Sequence, residues 1–326
     1  MPPEMACRHG HFDTLFGVLH LRVIAPERLR EQILDVLRAE SGVGNLLLFP
    51  GAAIVPAGDE ITADVARECV NDVIRKLKQL NVQHEGAITL HSLETVLSTT
   101  AHHAEEAAEG EGADALIWDE LISRTREDST LTMTFALFMI LACLLAAIGV
   151  ATDSPVTIVG AMVVGPEFGP LAALSVALVQ RRAQLARQAA LALLIGLPVA
   201  MAVTAVVTMG AAAIGLIGIE NVTNVHQVDF IYRVGPASLI VALLAGAAGM
   251  LSLMSSKSGV LVGVFISVTT VPAAGFAVVA AVLGDWSVAG KSALQLLVNL
   301  VGIVIAGVAV LLLRPHKSII PRSVQK

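Results

Sequence analysis

The sequence predicts a two-part fold, a small α+β domain followed by an all-α membrane domain, and three observations lead to it. Of 326 residues, 55% are hydrophobic and only 15% are charged, against about 25% charged in an ordinary soluble domain. The charge is also divided: residues 1–130 hold 22 acidic and 11 basic side chains, whereas residues 131–326 hold 5 and 10. Finally, the second part contains charge-free stretches at 131–152, 188–219, 234–256, 258–284 and 292–313. Each is long enough for the roughly 20 apolar residues that cross a bilayer.

In the first part, residues 16–24 alternate apolar and polar side chains through Leu19, His20, Leu21, Arg22 and Val23 and read as a strand. Pro26 then opens an amphipathic helix, with Leu29, Ile33, Leu34 and Leu37 on one face and Glu27, Arg30, Glu31 and Arg38 on the other. Gly42 and Gly44 stop it. Residues 45–54 and 60–65 read as strands, and 65–80 as a second helix carrying Val65, Cys69, Val73, Leu77 and Leu80. Residues 85–93 read as a fourth strand. The order βαββαβ is that of a ferredoxin-like sandwich, and such a domain binds small ligands or assembles edge to edge without the fold deciding which.

The sequence predicts a ferredoxin-like cytoplasmic domain over 1–98, an acidic linker with an interfacial helix over 99–130, the membrane domain over 131–313 and a basic cytoplasmic tail over 314–326. Residues 99–112 (TTAHHAEEAAEGEG) are small, acidic and glycine-punctuated, as in a mobile linker. Beyond Ala113, apolar Leu116, Ile117, Leu121 and Ile122 interleave with charges, which fits a helix lying on the membrane surface. Trp118 serves there as an interfacial anchor or packs on the soluble domain.

A sixth apolar stretch, 155–180, contains one carboxylate, Glu167, which brings the expected spans to six. The start of the chain carries Arg8, His9, His11 and Asp13 with no apolar core, so neither a secretory signal nor a lipid anchor is expected. With a cytoplasmic N-terminus, the inner links and tail hold eight basic residues, among them Arg181, Arg182, Arg187 and Lys257, against Arg233 and Lys291 outside. That asymmetry obeys the positive-inside rule and predicts a multi-pass protein of a prokaryotic cytoplasmic (inner) membrane with both termini inside.

Two of the six spans are interrupted. Span two contains Gly165-Pro166-Glu167-Phe168-Gly169-Pro170, and span five contains Ser267, Thr269, Thr270 and Pro272. Proline removes an amide donor and clashes with the preceding turn, and carbonyls freed in hydrocarbon demand protein or water. Glu167 lies 12 residues beyond Pro155, and Pro272 lies 13 beyond Gly259, so both fall about 18 to 20 Å into their spans. Each is the middle helix of a three-helix block, and an odd count per block makes the blocks cross in opposite senses. This is the pattern of a 3+3 inverted repeat in which broken helices two and five meet at a central site.

The ten residues just named form the candidate solute or ion site. Glu167 is the only ionisable side chain well inside a predicted span, and couples a proton or cation, or touches substrate, or caps the free amides of its own broken helix. The hydroxyls of Ser267, Thr269 and Thr270 face it or bond back to their own helix. Asp153 reads as a cap for span two at Pro155, and Asn299 as a packing contact in span six. Gly246, Gly249, Gly302, Ala306 and Gly307 fit close helix contacts, and Arg181, Arg182 and Arg187 set orientation and meet anionic lipid.

At these residues the chain resembles a prokaryotic membrane family known as domain of unknown function 389, or the uncharacterised hydrophobic domain. The resemblance rests on GAMVVGPEFGPLAALSVAL (160–178), AGMLSLMSSKSGVLVGVFISVTTVPAAG (248–275) and LVNLVGIVIAG (297–307), and extends to GDEITADVARECVNDVIRKLKQLNVQHEGAITL (58–90). It implies a small soluble domain joined to a membrane domain and brings no substrate. Where relatives carry an apolar or small residue in place of Glu167, the broken backbone rather than the carboxylate is the shared device.

The function these features predict is secondary transport of a small solute, with the soluble domain regulating it or joining subunits. An oligomeric channel and a membrane-tethered ligand sensor are the alternatives. No Walker motif follows a strand, and no span pairs a nucleophile with a base, so neither ATP-driven pumping nor an enzyme is expected. Cys7, Cys69 and Cys143 are scattered, and His9, His11, His102 and His103 lack fixed partners, so no metal or other cofactor is expected. The expected partners are the lipid bilayer, a small solute or ion, and further copies of the chain, and not nucleic acid.

Overall fold

A computed structural model of the chain describes residues 18–93, 96, 98–108, 116–218, 235–254 and 270–313. They form two compact units that divide after Trp118.

The first unit is built on a four-stranded antiparallel sheet of β1 (Val18–Ala25), β2 (Val43–Ile54), β3 (Ala57–Ala66) and β4 (Ala87–Ser92), in the order β2-β3-β1-β4. Helices α1 (Arg30–Arg38) and α2 (Val70–Gln79) and the single turn α3 (Val82–Glu85) connect them. Strand alternation sends Leu19, Leu21 and Val23 into the core, where they meet Ile33 and Leu37 of α1 and Leu77 of α2. The alternate residues of β1 form cross-strand polar pairs: Arg22 donates to both Glu60 oxygens at 2.8 and 3.0 Å, and His20 Nδ1 lies 2.9 Å from Asp64.

Three features differ from the sequence reading. β3 runs on to Ala66, with Val65 paired to Leu19 and Val43, and α2 starts only at Val70. Residues Thr99–Ala107, whose composition suggested a linker, form helix α4 packed on β2 and β3. Ala101, Ala104 and Ala108 are buried there, and small side chains at that helical spacing let the helix lie flat on a sheet. Residues 116–118 are clipped to α2: Asn71 donates to the Leu116 carbonyl at 2.6 Å and accepts from the Trp118 amide at 3.2 Å. Ile117 enters the core.

Among the described residues Asp59 is the most buried acid of this unit, 2% exposed. It accepts from Arg30 Nε at 2.7 Å and from the Gly51 amide at 2.8 Å, and the hydrogen bond from Arg30 holds its carboxyl below the ordinary value of 3.8. A depressed folded-state value stabilises above the ordinary value, and the contribution is lost as pH falls through the folded one. Asp59→Asn should therefore lower stability by about 2 kcal/mol at neutral pH. The difference from the native protein should shrink as pH drops below 3.8, read by hydrogen exchange of the β1 and β3 amides in the full-length protein.

The second unit contains most of α5 (Trp118–Asp128), then α6 (Met133–Ala151), α7 (Pro155–Val164), α8 (Phe168–Val179), α9 (Ala183–Ala213), α10 (Pro236–Met254), α11 (Thr270–Val282) and α12 (Trp286–Leu313). Four of them, α6, α9, α10 and α12, are long and apolar enough to cross a membrane. The pair α7 and α8 makes a fifth crossing if taken as one span, bent by 51°. At 1.5 Å per residue the 13-residue α11 is about 20 Å long, short of the roughly 30 Å hydrocarbon core. Much of expected span five, with Lys257, and the outer link containing Arg233 lie outside the described residues, as does the basic tail.

The turns follow recognisable end chemistry. Asp153 has φ 46°, and the Ser154 amide bonds back to the Gly149 carbonyl at 2.8 Å. This is the left-handed closure that ends a helix. Ser154, not Asp153, then caps α7, accepting from the Thr157 amide, with Pro155 in its first turn. The α11–α12 turn repeats the device: Gly284 has φ 90°, and Asp285 accepts from the Val288 amide at 3.0 Å.

Candidate functional site

Helix α7 ends because Gly165 is extended (φ −67°, ψ 127°) and Pro166 has no amide to donate. Glu167 returns to helical geometry and α8 begins at Phe168, with Pro170 as its third residue, where a missing amide costs nothing. The carboxylate of Glu167 folds back over Gly165: a Cβ there would lie 2.2 Å from Glu167 Oε2 and 3.0 Å from Val271 Cγ2. A side chain at 165 would thus displace the carboxylate and crowd Val271 of α11.

Glu167 is 2% exposed. Its carboxylate lies in hydrogen-bonding reach of its own amide and of the Val271 amide, in the first described turn of α11. Its Oε2 has no hydrogen-bond partner, and neither does Thr270 Oγ1. The structure thus brings Gly165 and Glu167 against Val271, the residue that follows Thr270. Pro272, the third described residue of α11, is buried in the same helix. Phe168 and Pro170 are buried in α8, and Gly169 packs on the end of α5, where a Cβ would meet Asp128 Cβ at 2.7 Å. Ser267 and Thr269 lie outside the described residues.

Helix α11 fixes the other wall. Residues 270–280 are all buried, and the helix packs among α6, α7, α9 and α12. Gly275 allows the close approach, since a Cβ would lie 2.6 Å from Ala146 Cβ. Phe276, Val279 and Ala280 join Val150 and Ile158 in one apolar cluster. A buried, partnerless oxygen in such surroundings is unfavourable by about 1 to 3 kcal/mol, and more for a charged group.

Sequence reading passed over several buried polar groups. Thr204 of α9 is fully buried with an unpaired Oγ1, and so is Ser292 of α12. Gln295 donates to Ser238 of α10 and to Asn299 Oδ1 at 3.0 Å, leaving its own Oε1 unpaired. The stripe Ser292, Gln295, Asn299 has helical spacing and was available as a signal. Thr204 was not, because a lone threonine in an apolar helix ordinarily bonds to its own backbone. Among the described residues no cluster of metal-binding side chains is present.

Comparison with known proteins agrees with the resemblance read from the residues. An uncharacterized protein of Methanocaldococcus jannaschii is 29% identical over 171 residues, which are 52% of this chain and 50% of that protein. The match therefore spans half of that relative's length. No solved structure matches the chain. Residues 162–305, which include Glu167, Thr204, Thr270 and Gln295, match the model of the family described as Domain of unknown function (DUF389). Over those residues the chain is similar to the DUF389 family.

Proposed function

We propose that this protein is a secondary transporter of a small solute. Six spans of the inner membrane form a 3+3 inverted repeat around a site between the two broken helices, and both termini are cytoplasmic. The observation that carries the reading is Glu167 Oε2, buried and unpartnered where the α7–α8 break meets the start of α11. Intramembrane carboxylates of that kind mark solute and ion pathways.

Helix directions support the inverted repeat. α6 and α9 run parallel, touching at Thr130 with Gln188 and again at Phe135 with Gly196. α10 and α12 run parallel, touching at Ser238 with Gln295 and again at Met250 with Gly307. Each middle helix packs on both blocks: α11 on α6 and α9 as well as on α12, and α8 on α12 and more lightly on α10 as well as on α9. In the first unit, the strand order β2-β3-β1-β4 supports the ferredoxin-like reading, and the edge strand β2, with Leu47 52% and Phe49 47% exposed, supports assembly of copies through it.

Solid-supported-membrane recordings on proteoliposomes of the full chain test the reading. Rapid addition of the transported solute, found by screening small charged and polar metabolites, should evoke a saturable transient current without unitary channel openings. Unitary currents, or silence across the panel with a correctly inserted protein, would count against it.

A further inference from the structure

Among the buried side-chain oxygens of the second unit that lack a partner are Glu167 Oε2, Thr270 Oγ1 and Thr204 Oγ1, on residues 2%, 0% and 0% exposed. They belong to three elements, the α7–α8 break, α11 and α9. Glu167 and Thr270 are neighbours, because the Val271 amide reaches the carboxylate and Val271 Cγ2 covers Gly165.

Helix register brings Thr204 to the same depth. α9 lies parallel to α6 with Gly196 against Phe135, and Thr204 and Cys143 each stand about 12 Å further along their helices. α11 meets α6 at Gly275 and Ala146. Its later residues Val279 and Ala280 cluster with Val150 near the end of α6, so the two helices run the same way. Thr270, about 8 Å before Gly275, is therefore level with Leu141 and Ala142, one short step from Cys143. α9 also packs directly on α11.

We infer that Glu167, Thr270 and Thr204 are ligands of one dehydrated monovalent alkali cation. The inference rests on the reading of the two breaks as a binding site and deepens it by naming the ion. Carboxylate and hydroxyl oxygens are hard donors of the kind such cations take, and Pro166 leaves the Met162 carbonyl without its helical donor as a further oxygen. One carboxylate balances one positive charge. A divalent ion would leave a net charge in hydrocarbon, and a proton would satisfy the carboxylate while leaving both hydroxyls unpaired. Binding a single monovalent cation makes the site neutral, the condition under which it can be carried through an apolar bundle.

The test is thermal unfolding of the full-length protein in detergent, in sodium, potassium or choline chloride at equal ionic strength. Sodium or potassium should raise the melting temperature saturably over choline. Thr204→Val and Thr270→Val should shift the midpoint salt concentration at least about tenfold, and Glu167→Gln should abolish the response. Thr204→Ser, which keeps the hydroxyl, and Thr208→Val, one turn further on, should respond like the native protein. Equal melting in all three salts, or an unchanged midpoint in both valine variants, would overturn the assignment. So would a response only to acid. Because binding is read at equilibrium with no gradient, loss of the salt effect with solute-evoked currents intact sinks the cation alone. A salt effect without such currents sinks transport instead.

Discussion

Glu167→Gln protein inserts and folds, and its solute-evoked current falls more than about tenfold, the equivalent of at least 1.4 kcal/mol of lost coupling. Glutamine has the shape of glutamate and keeps an oxygen for the Val271 amide, so the contact between the α7–α8 break and α11 survives. What disappears is the charge. An uncompensated charge in a dry bundle is unfavourable, so the variant should melt at the same temperature as the native protein in choline, or higher. Activity and stability thus move in opposite directions, which distinguishes a functional carboxylate from one that only caps a helix. A capping carboxylate would show lower melting with the current kept.

Gly246→Leu gives the largest structural effect. A Cβ at 246 would lie 2.7 Å from Ile303 Cα and 2.8 Å from Ile303 O, and main-chain atoms of a neighbouring helix cannot rotate away. α10 and α12 would have to separate along the line from Ala242 against Gly302 to Met250 against Gly307. The Gln295 to Ser238 hydrogen bond would open with them. Overpacking usually costs about 1 to 3 kcal/mol, and a leucine against backbone belongs at or above the upper end. Gly160→Leu is the matched control, because nothing lies within 4 Å of a Cβ there. Melting temperature and yield of inserted protein should drop for Gly246→Leu and stay level for Gly160→Leu.

The legible parts of the fold share a cause. β1 could be read because Leu19, Leu21 and Val23 alternate with His20 and Arg22, and only a strand sorts such a run onto two faces. α1 could be read because Ile33, Leu34 and Leu37 repeat at helical spacing. Val65 reads as part of both the third strand and the second helix because it fits a helical stripe with Cys69 and Val73 as well as a pairing with Leu19, and only the long-range partner decides. α4 was hidden because its acidic, small composition masked the stripe of Ala101, Ala104 and Ala108. Charge-free stretches mark the hydrocarbon and not the helix: α9 begins before Arg187, and α12 before Lys291.

In the candidate site the same rule holds. Glu167 stood out as a lone carboxylate in an apolar run, and Pro166 and Pro170 announced the break from local chemistry alone. Val271 and Thr204 carry no local signal. Val271 is one of many valines and matters through its amide, and Thr204 matters through the register of α9 against α6, which no single segment encodes.

Labelling of Thr270→Cys, in protein whose Cys7, Cys69 and Cys143 are replaced, tests most directly whether this buried centre is a transport site. Membrane-impermeant thiol reagents are applied to each face of oriented vesicles in turn. Thr270 is fully buried in the described state, so a passive packing position stays unreactive. Alternating access exposes it to one face and then the other. Labelling from both faces, slowed by sodium or potassium, is the expected result. A cysteine at 270 that reacts from neither face while the protein is folded and inserted would contradict the site.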